Sequence, residues 1–349
     1  MDGLRWVVPA RRSRSAGDIG GEHAMNRVVF ILLAGLAGAL VLSVALGSVP
    51  LPLDRVLAAL AFQSSQGDEL VVWQIRLPRA LAAAFVGAAL GISGAALQGL
   101  LRNPLAEPGI LGVSATAALF ATFVLYFGLA TAGPLVLPLA AVAGALIATL
   151  LVALAAIRTR SVVTLILIGV GLSSFSAAIM ALLMNLAPNP FSLADMVNWM
   201  LGTVDNRSFD DLIFALPFMA IGVVVLLASR RGLSALALGD EAAEGMGLDL
   251  RRQRLAVIIG AGLATGAAVA LAGAIGFVGI VAPHLVRPFL RYDPARLLVP
   301  SAMLGALILM LADIGVRVLP TDSELKLGVV ASLLGAPVFI WIAARRRLA

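Results

Sequence analysis

Runs of about 20 predominantly apolar residues recur from Arg27 to the C-terminus, separated by short polar, glycine- or proline-bearing breaks. At about 1.5 Å of rise per helical residue, each run can cross a hydrocarbon core of roughly 30 Å. Lipid offers no partner to a backbone N–H or C=O, so contiguous runs of this length have to be helices. Composition agrees: 61% hydrophobic and 13% charged residues, with a mean hydropathy of +1.03, lie outside the range of a soluble domain. The chain therefore reads as an all-α polytopic membrane protein, with ten spans predicted near 27–47, 78–101, 105–128, 134–157, 162–186, 211–229, 254–273, 275–291, 297–318 and 325–344.

The net charge of +6 comes from arginines spread over many short loops, a pattern of membrane topology and not of nucleic-acid binding. With a cytoplasmic N-terminus, Arg102, Arg158, Arg160, Arg230, Arg231 and Arg251, among others, fall on inner loops, against Arg55, Arg76, Arg79, Arg207, Arg317 and Lys326 outside. This bias predicts that both termini face the cytoplasm. Residues 1–25 are rich in Arg, Ser and Gly without an apolar stretch, and are expected to be a disordered cytoplasmic tail, not a secretory signal. Residues 26–344 form the transmembrane domain and 345–349 a basic cytoplasmic end. Cysteine is absent and His23 and His284 are the only histidines, so thiolate chemistry is excluded and no metal centre is expected.

"GAALGISGAAL" (87–97) and "GAAVALAGAIG" (266–276) share their spacing of small residues at an offset of 179 residues. The offset spans five predicted helices, an odd number, which reverses direction. The pair marks a five-plus-five inverted repeat, unless it reflects only the composition common to closely packed membrane helices. Either reading brings these helices into close contact in the centre of a bundle.

"ALALGDEAAEGMGLDLRRQR" (235–254) is a charged island between two apolar runs. A short helix is expected over Asp240 to Met246, with acids at its front and arginines behind to suit the helix dipole, broken by Gly245 and Gly247 in a tight turn. On the inner face it is either a solvated loop or a docking element for a cytoplasmic subunit. The chain carries no phosphate-binding loop, because its only lysine, Lys326, is flanked by leucines. In "RNPLAEPG", Asn103, Pro104, Glu107 and Pro108 form a rigid corner, since two prolines forbid a continuous helix, and Pro283 is read as a further structural turn.

Four stretches carry a resemblance: "WQIRLPRALAAAFVGAALGISGAALQGLLRNPLAEPGILGVSA" (73–115), "LALGDEAAEGMGL" (236–248), "GAIGFVGIVAPHLVRPFL" (273–290) and "LGAPVFIWI" (334–342). From about residue 26 to 344 the chain resembles the FecCD-type permeases, membrane subunits of bacterial ABC importers for ferric siderophores, haem and cobalamin. The resemblance implies a type II importer fold of ten helices and a location in the bacterial cytoplasmic membrane. It also implies a second permease copy, two cytoplasmic ATP-binding subunits that carry ATP and magnesium, and an extracytoplasmic solute-binding protein. This chain would itself bind no cofactor and catalyse no reaction.

The resemblance makes 230–253 the coupling loop, with Gly247 at the family's turn glycine, Gly245 beside it, and Asp240, Glu241 and Glu244 on the docking face. It pairs Arg76, Arg79 and Arg317 with glutamates of the binding protein, interfacial anchoring being the alternative for such arginines. It places Trp199, Met200 and Gly202 in the outer vestibule near the dimer axis, where the same segment also suits an aromatic anchor. A cytoplasmic gate is expected near Arg160 to Val163, with Val162 and Val163 as an apolar constriction. With no cysteine and both histidines on the inner side, the outer pathway lacks the usual axial ligands for haem iron, which favours a ferric siderophore. Two rival classes remain at this stage. One is an intramembrane serine protease using Ser93 and His284; the other is an ion-coupled carrier, for which Asp313 near Arg317 is the acid lying furthest inside a predicted span.

Overall fold

The computed structural model describes residues 16–47, 51–159, 161–290, 293–319 and 324–345, and within them every regular element is helical. α1 (Ala16–Ala45) is followed by α2 (Leu53–Leu60) and α3 (Gln66–Leu70), which run through a π-helical turn at Val71–Arg76 into α4 (Leu77–Leu101). α5 (Val113–Tyr126), α6 (Val136–Arg158) and α7 (Val162–Asn185) complete the first half, and α8 (Pro190–Met200) leads to the second. That half comprises α9 (Phe209–Ala228), α10 (Arg230–Leu236), α11 (Asp240–Gly245), α12 (Leu250–Ala272), α13 (Val278–Val286), α14 (Pro294–Val318) and α15 (Leu327–Arg345).

Each predicted span holds a helix. Seven are long and apolar enough to cross a membrane, and apolar helices also occupy the runs of α5, α13 and α15, of which α5 and α13 are short, at 14 and 9 residues. α5 and α13 are short for one reason: each follows irregular backbone, at 102–112 and at 273–277, which membrane depth tolerates only inside protein. α1 begins at Ala16, so the disorder expected over 1–25 does not extend to residues 16–25; once a membrane run nucleates a helix, adding further turns costs little. Residues 1–15 and 346–349 lie outside the described residues, as does Arg160.

α4 and α12, the helices bearing the paired small-residue stretches, are the most enclosed, each with 78% of its span window buried. Their neighbours largely follow the expected exchange of halves. α4 packs on α14 and α13 while α12 packs on α6 and α5, and α5 meets α6 as α13 meets α14. The exchange fails for the outermost pair, because α9 lies along α12 whereas α1 lies mainly along α14. Glycine sets the closest approach. A Cβ at Gly87 would sit 2.2 Å from the Gly305 carbonyl oxygen, and one at Gly91 2.2 Å from that of Ser301, so α4 and α14 touch backbone to backbone.

Candidate functional site

The charged island folds into two helices. α10, absent from the expectation of a simple loop, buries Leu233 and Leu236 against α4 and α14, and the Ser234 hydroxyl donates to Asp293 at 2.7 Å. The chain then breaks at Gly239 (φ +103) and continues as α11. α11 turns Ala243 inward and leaves Glu241, Glu244 and Gly245 exposed, flanked by Leu238 at 69% and Met246 at 58% exposure. Gly245 lies within the helix. Gly247 makes the turn, at φ +84, its N–H donating to the Glu244 carbonyl at 2.8 Å and that of Leu248 to Ala243 at 3.0 Å.

Asp240 departs from the expected docking face. It lies 3.0 Å from Arg102 through one carboxylate oxygen and 2.8 Å from Arg254 through the other. The first residue of α11 sits between the C-terminus of α4 and the first turn of α12, where the two guanidinium groups outcompete water for the carboxylate.

The three arginines expected at the opposite face, Arg76, Arg79 and Arg317, are all engaged within the chain. Arg76 is 3% exposed and donates from Nη1 to the Val44 and Ala45 carbonyls at 2.7 Å each. Arg317 donates to the Ser43 carbonyl at 2.9 Å and to that of Leu46 at 3.0 Å, and reaches the Ser43 hydroxyl at 2.5 Å. Two guanidinium groups thus cap the C-terminus of α1, whose last carbonyls have no partner within the helix. Arg79 joins three carboxylates brought from distant sequence: Asp313 at 2.8 Å, Asp205 at 3.2 Å and Glu324. Arg317 completes the cluster, 3.0 Å from Asp313. In this conformation the charge of all three arginines is engaged within the chain, at the end of the bundle where α1 finishes.

The pathway residues are not brought together. Gly202 is buried at φ +70, with the Ala274 carbonyl 2.6 Å from where its Cβ would be, and its own carbonyl accepts from Gly328 N at 3.1 Å. It is a junction between α8, the 273–277 loop and α15. Trp199 and Met200 are half-buried against an apolar cluster that includes Leu119 and Met180. Val162 packs partly against the core, while Val163 is 64% exposed on α7, a helix with only 17% of its span window buried.

The corner at 102–112 is stapled by Asn103, whose Oδ1 accepts from Leu105 N at 3.0 Å; Pro104 follows, and Pro108 opens a 3₁₀ turn that ends at Gly112, φ +78. Pro283 is not a turn, since it lies inside α13. Lacking an N–H, it releases the Gly279 carbonyl, which instead accepts from Gln98 Nε2 at 3.4 Å. Glu107 accepts from Phe277 N at 3.3 Å, at the start of α13.

The rival chemistries find no geometry. The Ser93 hydroxyl is fully buried without a hydrogen-bond partner, so it forms no pair with His284. Asp313, 1% exposed, is sealed between Arg79 and Arg317, which leaves it no route to carry an ion along a pathway.

Comparison with known proteins places these features in a family. The model of the FecCD transport family matches residues 32–345. A Bacillus subtilis protein named as an uncharacterized ABC transporter permease, YvrB, is 39% identical over 325 residues, covering 89% of this chain and 91% of that one. The vitamin B12 import system permease BtuC of Vibrio cholerae is 41% identical over 280 residues, 80% of this chain and 84% of that one. A solved structure of a transporter assigned to the metal-chelate ABC type, in an inward-facing conformation, superposes with a TM-score of 0.82 at 29% identity, covering 92% of this chain and 99% of the other. The multi-pass helical bundle, the type II importer permease architecture and the match over nearly its whole length lead to one conclusion: the chain belongs to the FecCD transport family.

Proposed function

We propose that this chain is the membrane subunit of an ATP-driven importer that carries a ferric siderophore across the bacterial cytoplasmic membrane. The observation that carries the ATP-driven part is α11, an exposed acidic and apolar face anchored on the inner ends of the spans in a chain with no phosphate-binding loop of its own. Such a face has a use only if a separate subunit hydrolyses ATP and pushes on it. The family implies two such subunits, a solute-binding protein on the outer side and a second permease copy, for which the weakly buried α7 leaves an open flank. A corrinoid cargo is the second reading, favoured by the 41% identity to a vitamin B12 permease.

Proteoliposomes containing the permease, its ATPase subunit and its binding protein test both. ATP-dependent uptake of a radiolabelled ferric siderophore, and not of vitamin B12, is expected; the reverse preference establishes the corrinoid reading, and uptake driven by an ion gradient without ATP overturns the importer. Gly247→Trp meets no atom within 4 Å of its Cβ, so the bundle should insert normally. The large ring would nevertheless stand on the docking face at a residue of φ +84, and uptake is expected to fall by roughly tenfold or more, about 1.4 kcal/mol or more of lost coupling. Uptake at the unmutated level in a fully inserted Gly247→Trp protein rules out this docking face.

A further inference from the structure

Asp240 is the acidic residue of α11 that turns away from the exposed face, and its position explains how so small a helix could move a bundle. α11 has six residues and buries Ala243 alone. It is flanked by backbone breaks at Gly239, φ +103, and Gly247, φ +84. A six-residue helix with a backbone break at each end and one buried side chain has little apolar contact through which to pass a push to its neighbours. Asp240 adds a charged link by engaging two arginines at once, Arg102 at 3.0 Å and Arg254 at 2.8 Å.

The two partners are not equivalent. Arg254 lies in the first turn of α12 with its side chain 4% exposed, and so is rigidly set. Arg102 is the C-terminal cap of α4, in a left-handed conformation at φ +49, with 42% of its side chain exposed. Between them α4 and α12 touch each other and also α5, α6, α9, α13 and α14. A displacement delivered to these two inner ends therefore reaches most of the bundle. α10 reaches α14 by a separate route, the Ser234–Asp293 hydrogen bond, so the loop stays in place without Asp240.

We propose that Asp240 is a positioning residue for force transfer: one carboxylate that ties the docking helix to α4 and α12, so that both inner ends move when α11 is pushed. This rests on the reading of α11 as the coupling element. Charge-assisted bonds to two guanidinium groups suit the task, since they are short, directional and stronger than neutral ones. Asparagine would keep an acceptor for one arginine and lose the charge that holds both.

The test is amide hydrogen exchange on the assembled complex of permease and ATPase subunits in lipid nanodiscs, nucleotide-free and after trapping with ATP and vanadate. In the unmutated complex, trapping is expected to change exchange in 236–248 and also in 98–104 and 250–256. In Asp240→Asn the ATPase subunit should still co-purify and 236–248 should still respond, while the response of 98–104 falls by about threefold or more. Arg102→Gln should reproduce that loss at 98–104 with 250–256 less affected, and Asp240→Glu should restore part of it. An undiminished response at 98–104 in Asp240→Asn overturns the proposal, as does loss of ATPase binding, which would make the residue a docking contact. If Asp240→Asn does not accumulate in membranes, Arg102→Gln alone decides the matter, since it leaves the Arg254 pair intact. Failure of the underlying reading gives a different result: the unmutated complex shows no response of 236–248 to the ATPase subunit at all.

Discussion

Arg79→Leu is expected to destabilise the protein by about 3 kcal/mol, because it strips the principal counter-charge from a carboxylate that water cannot reach. Asp313 is 1% exposed and sits 2.8 Å from Arg79. Arg317 stays 3.0 Å away, which keeps the loss towards the lower end of what breaking a buried pair costs. Asp205 and Glu324 retain 33% and 31% side-chain exposure and can rehydrate when Arg79 is removed, so they add little. Unfolding in mixed detergent micelles by sodium dodecyl sulfate titration measures the difference. The double variant Arg79→Leu with Asp313→Leu should recover much of it, since replacing both members of a buried pair removes the stranded charge. The exposed pair of Arg252 and Asp249, with side chains 88% and 51% exposed, provides the contrast: Arg252→Leu should cost less than about 1 kcal/mol. A loss from Arg79→Leu no larger than that from Arg252→Leu would refute the structural role of the outer cluster.

A second large effect is expected where α4 meets α13. A Cβ on Gly94 would lie 1.9 Å from the carbonyl oxygen of Gly279, 2.6 Å from its carbonyl carbon and 2.7 Å from its Cα. All three are backbone atoms, so no side chain can rotate away, and the helices must separate. Gly94→Val should therefore cost about 3 kcal/mol or prevent accumulation in the membrane. The same separation would pull Gln98 from the Gly279 carbonyl that Pro283 leaves unpaired, exposing a backbone acceptor inside the bundle. Gly245→Ala, where nothing lies within 4 Å, should change stability by less than about 0.5 kcal/mol. Equal stability of Gly94→Val and the unmutated protein in the same titration would show that the contact is looser than described.

Legibility in the sequence followed how local the physical cause was. The spans could be read because apolar length is a property of a contiguous segment. The short helix α11 could be read because its acids, alanines and glycines are adjacent. α10 is harder to read, because its helical signal is only Leu233 and Leu236, three residues apart, within a stretch dominated by its charges. Proline normally ends a helix, so Pro283 reads as a turn in the sequence; in the fold its cost is met by Gln98, which satisfies the Gly279 carbonyl it strands from 181 residues away.

The sequence alone determined that this chain lives in a bilayer, that its spans are helical, that its acidic island stands apart from the spans and that it carries no lysine-bearing phosphate loop. Hydrocarbon length, backbone pairing and the lack of a lysine-bearing loop are all properties of one segment at a time. Only tertiary structure decided where the charges go. Arg76 and Arg317 turn to the unpaired carbonyls of α1, Arg79 to acids from three other parts of the chain, and Asp240 to the ends of two different helices. A charge in a low-dielectric bundle takes the partner that folding brings within about 3 Å, and that partner is set by packing and not by neighbours along the chain.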